Sequence, residues 1–79
     1  MNSRSDYSLR DRTNARCEQL IVSLVGDGYR RIAYHEQTDM VTYSLRNVRS
    51  RRTLQVCSFP RVGLIQLIEK RKVLKMIQL

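Results

Sequence analysis

Apolar residues follow two rhythms along this chain, one helical and one alternating, and the change falls at Gly26-Asp27-Gly28. Before that point Cys17, Leu20, Ile21, Leu24 and Val25 repeat at helical spacing and form one apolar stripe. A helix beginning at Ser8 or shortly after is expected, with Ser8 as N-cap and Asp11 near the positive helix end. Gly26 or Gly28 is free to take the left-handed conformation that ends it. Met1 to Tyr7 read as a mobile polar arm, leaving 8–79 as a single small domain.

After Gly28 the period becomes two. Tyr29 to Glu36, Met40 to Arg46 and Thr53 to Phe59 alternate and are rich in β-branched and aromatic residues, which predicts three strands. Short links between them predict an antiparallel meander. One face then collects Ile32, Tyr34, Val41, Tyr43, Leu45, Leu54 and Val56 and should carry the helices. The other collects Arg31, Ala33, His35, Thr42, Ser44, Arg46, Thr53, Gln55 and Cys57.

Phe59-Pro60 stops the third strand, and Pro60 suits the first turn of a second helix with Leu64, Ile65, Leu67 and Ile68 buried. The helical stripe fails after Glu69, and Val73 to Leu79 reads equally well as a short final strand. The expected fold class is α+β: an N-terminal helix, a three-stranded antiparallel meander, a second helix and a C-terminal fourth strand, αβββα(β). That element order matches the layout of double-stranded-RNA-binding domains, but the second helix would begin Pro60-Arg61-Val62-Gly63 without their lysine-rich start, and no family is recognised.

Composition narrows the class of partner. Fifteen Lys and Arg face seven Asp and Glu, a formal charge of +8, and arginines outnumber lysines twelve to three. A charge this large on so small a surface attracts polyanions, and the planar arginine fork pairs phosphate bidentately. Nucleic-acid backbone or an acidic protein surface is the expected partner. The apolar tail and free strand edges also suit a homodimer, and small phage or mobile-element proteins that block an acidic surface share this character. With 42% hydrophobic residues the chain supports a core, though a thin one. The polar N-terminus and the lack of a long apolar run predict no export signal and no membrane insertion. A reducing cytoplasm with Cys17 and Cys57 as free thiols is the expected setting.

Arg46-Asn47-Val48-Arg49-Ser50-Arg51-Arg52 places four arginines in a seven-residue hairpin loop. Such a tip combines reach with bidentate pairing, so Arg46, Arg49, Arg51 and Arg52, with Arg30 and Arg31, are the candidate nucleic-acid contacts. A solvated hairpin whose charges discourage aggregation is the plain structural alternative. Lys70-Arg71-Lys72 with Lys75 forms a second cluster, expected residue by residue to complement a helix C-terminus and able, together with Arg61, to extend a phosphate-binding surface. Base stacking is not expected, because Tyr34 and Tyr43 fall on the apolar side. Cys17, Cys57 and His35 lack metal-ligand spacing, so no metal or cofactor is expected. Glu36 and Asp39 flank a turn, where carboxylates serve hydrogen bonding, and no catalytic motif is present, so the chain is not expected to be an enzyme.

Overall fold

In the computed structural model the backbone is described for residues 2–79 and side chains for residues 8–79. One helix, α1 (Asn2–Gly26), is followed by β1 (Tyr29–Glu36), β2 (Val41–Asn47), β3 (Thr53–Phe59), β4 (Leu64–Glu69) and β5 (Lys72–Gln78). The strands form a single antiparallel meander in the order β1-β2-β3-β4-β5. Ser8 lies within α1 rather than capping it. The side chains of the expected N-terminal arm, 1–7, lie outside the described residues.

The expected αβββα(β) order is therefore corrected: the described residues form one helix and five strands, with no second helix among them. Pro60 occupies the second position of a tight turn, closed by the Val62 amide donating to the Phe59 carbonyl at 3.2 Å. Its locked φ suits that position as well as it suits a helix start. Gly63 then takes φ +68, and a Cβ there would lie 2.9 Å from Leu9 Cδ1, so the turn needs both its conformational freedom and its lack of a side chain. Leu64-Ile65-Gln66-Leu67-Ile68 alternates between two faces as β4, with Ile65 and Leu67 turned to the helix. The C-terminal segment is the fifth strand, not the fourth.

The core is a single layer between α1 and one sheet face. Cys17, Ile21 and Leu24 of the helix pack with Tyr29, Leu45, Leu54, Val56 and Ile65, and Leu20, Tyr43, Leu67 and Ile77 close its margin. Leu45, Val56 and Ile65 are fully enclosed. Buried Thr13 satisfies its hydroxyl by donating to the Leu9 carbonyl one turn back, 2.7 Å away. Gly28, at φ +99, turns the chain from the helix into β1.

A register shift between Arg31 and Ala33 corrects the expected sorting of β1. Ile32 is the extra residue of a bulge and is 56% exposed instead of joining the core. Arg31 consequently pairs with Leu45 on the helix side, and Ala33 pairs with Ser44 on the open side. Cys57 points to the open side yet is buried, its sulfur 3.8 Å from Thr42 Oγ1.

Candidate nucleic-acid interface

A meander sends alternate connections to the same end of the sheet. One end therefore receives the start of β1, the β2–β3 loop and the β4–β5 turn. Arg30, Arg46, Arg49, Arg51, Arg52, Lys70, Arg71 and Lys72 all lie there, eight of the fifteen basic residues. The acidic residues at this end are Asp27 and Glu69. Sequence reading kept the loop and the Lys70-Arg71-Lys72 cluster apart, because it placed the second on a helix. With both as hairpin tips they are neighbours, two strand spacings or about 10 Å apart.

Asn47 builds the first tip. Its Oδ1 accepts from the Arg49 and Ser50 amides, each at 3.0 Å, an Asx turn at the mouth of the loop. Its Nδ2 donates to the Asp27 carbonyl at 3.2 Å and so ties the loop to the end of α1. The Asn47 amide donates to the Arg52 carbonyl at 2.8 Å and the Arg51 amide to the Asn47 carbonyl at 2.9 Å. Arg51 pays for this closure with a left-handed backbone, φ 61. Between tip and helix end lies a cleft of about 520 Å³ lined by Gly26, Asp27, Gly28, Arg30, Asn47, Val48 and Arg49.

The second tip is tighter. Lys70 and Arg71 are the two central residues of the β4–β5 turn and both have positive φ, 49 and 67. This is the geometry of a type I′ hairpin turn, which Asn-Gly fills with least strain. Here two long cationic side chains occupy it.

Arg52 and Glu69 join the two tips. Arg52 Nε donates to Glu69 Oε2 at 2.9 Å and its Nη2 to Oε1 at 2.8 Å, a two-pronged pair. This hydrogen bonding holds the Glu69 carboxyl below its usual range and raises the Arg52 guanidinium. One of the two carboxylates at this end is thereby neutralised, and Arg52 acts as a brace between the tips.

The other sequence-predicted residues divide between faces. Arg30 and Arg46 are cross-strand partners on the open face, exposed and adjoining the first tip. The bulge turns Arg31 to the helix side, away from Arg30 and Arg46, beside Tyr34 and Tyr43. These two rings lie 5.2 Å apart and tilted by 54°, with Tyr34 57% exposed. The Tyr34 hydroxyl donates to Glu36 at 2.6 Å, which pushes its pKa up to about 12. At the far end of the sheet Asp39 faces Arg61 at 3.5 Å, both exposed.

No family model matches the chain, and no curated protein or solved structure matches it either. Its chemistry has to be read from its own residues. Asn47 and the hairpin-turn geometry of Lys70-Arg71 are the parts of the site that the sequence did not reveal, although Lys70-Arg71-Lys72 was visible in it as a basic cluster. An Asn opening a short polar loop was the available signal for the first. The second had no signal, because neither residue is a turn former. Among the described residues no group of three His, Cys, Asp or Glu side chains is gathered for a metal ion. No described helix is long and apolar enough to cross a membrane.

Proposed function

We propose that this protein binds the sugar-phosphate backbone of nucleic acid through the two hairpin tips at one end of its sheet, without catalysing a reaction. The observation that supports this reading is the convergence of Arg46, Arg49, Arg51, Lys70 and Arg71 at that end, where Arg52 neutralises Glu69. Exposed guanidinium groups on short, hydrogen-bonded turns grip phosphate with little loss of loop freedom. The tip residues are almost all cationic, which suits positioning on a backbone rather than reading of base edges. The Asx turn at Asn47 and the Arg52–Glu69 brace keep the tips at a set spacing. The cytoplasm, where Cys17 and Cys57 stay reduced, is the compartment that fits this reading.

Binding to labelled duplex DNA, duplex RNA and a single strand, each at low and high salt, tests the reading. Affinity should fall steeply with salt on whichever form is bound, because phosphate contacts release counterions. Arg49→Ala with Arg51→Ala should lower both the affinity and the salt slope. Absence of binding to all three at low salt refutes it.

A further inference from the structure

The open face of the sheet divides into two halves of different character. The β1–β2 half presents Arg30, His35 and Arg46 among small polar residues. The β3–β5 half presents Phe59, Leu64, Ile68, Val73 and Met76, with glutamines between them. Register places ten side chains on that half, and none of them is charged in a chain of fifteen basic and seven acidic residues. Met76 is 57% exposed and Val73 44%, while Phe59, Leu64 and Ile68 are half-buried. On the opposite face α1 covers the core, so nothing described in this chain covers the apolar half.

We propose that this half-face is the contact surface of a homodimer, in which two sheets stack open face to open face. Charge selects the occupant. A polyanion would meet its cations at the hairpin tips, whereas this patch offers it none. Residues 1–7 are polar or charged apart from Met1 and Tyr7, a composition that gives them no apolar stripe suited to the patch. For a second +8 molecule, an uncharged apolar patch is the place of closest approach with least repulsion. If the strands of the two layers run in opposite directions, the two sets of basic tips sit at opposite ends of the dimer and stay open to ligand.

Self-association through the strand edges is opposed by both edge strands. β1 carries a bulge and Arg30 and Arg31, and β5 carries a bulge and Lys72 and Lys75. Bulges and cations are the usual means of blocking edge pairing. The face is left as the route. Three strands of about seven residues span roughly 14 by 23 Å, a footprint of about 320 Å² per copy. Doubled, this is about 640 Å², short of the roughly 1,000 Å² of a stable specific interface, so the dimer is weak and depends on concentration.

Sedimentation velocity from about 10 µM to about 1 mM protein, at moderate salt, is the test. The wild-type weight-average mass should rise from one chain toward two. Met76→Glu should hold the protein monomeric with an unchanged circular dichroism spectrum. That variant lowers the net charge, so a loss of dimer cannot be put down to added repulsion. Arg49→Ala/Arg51→Ala should dimerise like wild type, which separates this proposal from the nucleic-acid reading. A wild-type monomer at every concentration overturns the proposal. So does a dimer that Met76→Glu leaves intact, which would place the contact elsewhere. A monomer whose Ile68 and Met76 amides shift in NMR spectra on adding an oligonucleotide would assign the face to nucleic acid and equally overturn it.

Discussion

Replacing Lys70-Arg71 with Asn-Gly should make the protein more stable and a weaker binder at the same time. Both residues hold positive φ, 49 and 67, in a two-residue hairpin turn. A left-handed backbone costs an ordinary L-residue about 1–2 kcal/mol, and Gly returns roughly 0.5–1 kcal/mol of any gain through the entropy of the unfolded chain. The double replacement should therefore stabilise by about 1–2 kcal/mol, or roughly 5–10 °C in melting temperature for a domain of this size. Lys70→Gln with Arg71→Gln is the matched control: it removes the same two charges and keeps the strained backbone. Thermal melts of the three proteins separate relief of strain from relief of charge repulsion. In binding assays both variants should lose about 0.9 of salt slope for each phosphate contact removed. If Asn-Gly fails to raise the melting temperature above that of the Gln pair, the turn is not strained as described. If neither variant changes binding, the β4–β5 tip lies outside the interface.

Three further outcomes follow from the structure. Glu69→Gln breaks the brace to Arg52, and because the Glu69 carboxyl is held low, the stability it confers is present above the ordinary Glu range and lost as pH falls through the lowered native value; wild-type and Glu69→Gln melting curves should differ at neutral pH and converge in acid. Burial pushes the Cys17 thiol up to about 11 against an opposing effect of the neighbouring Ser58 hydroxyl, so the folded state keeps a proton that the unfolded chain releases near pH 8.5. Stability should fall between those two values as pH rises, and Cys17→Ala, though less stable overall, should lack that alkaline slope in denaturant titrations. Asn47→Ala removes three side-chain hydrogen bonds at the first tip, which should cost about 1–2 kcal/mol in chemical denaturation and weaken oligonucleotide binding without removing a charge.

The helix, β2 and β3 were legible because each obeys one period, and β1 was legible as a strand though not in its face sorting. Cys17, Leu20, Ile21 and Leu24 keep helical spacing, and Tyr43 and Leu45, like Leu54 and Val56, keep the alternating one, and these same residues form the core and its margin. The strand reading of Val73 to Leu79 agrees with β5, but Pro60 to Glu69 was misread as a helix for two reasons. Leu64-Ile65-Gln66-Leu67-Ile68 is apolar at four of five positions, so it satisfies a buried helix stripe as readily as a strand with two apolar faces. The turn that would have marked a hairpin is written Lys70-Arg71 rather than Asn-Gly. Ile32 broke the alternation of β1 silently, since a bulge leaves no residue signature at this position. The candidate site inherited the same error. The arginines of the β2–β3 loop were visible as a cluster, but their partnership with Lys70 and Arg71 depends on the β4–β5 hairpin.

The salt dependence of oligonucleotide affinity, measured by fluorescence anisotropy on wild type, Arg49→Ala/Arg51→Ala, Lys70→Ala/Arg71→Ala and the quadruple variant, tests the central claim most directly. With five phosphate contacts on B-form DNA, wild-type affinity should fall about 500-fold between 50 and 200 mM salt, each pair of substitutions should remove about 1.8 from the slope, and the quadruple variant should keep a slope of about 0.9, roughly a 3- to 4-fold change over that range. A wild-type protein that binds no nucleic acid at low salt, or one whose slope is the same in all four proteins, would contradict it.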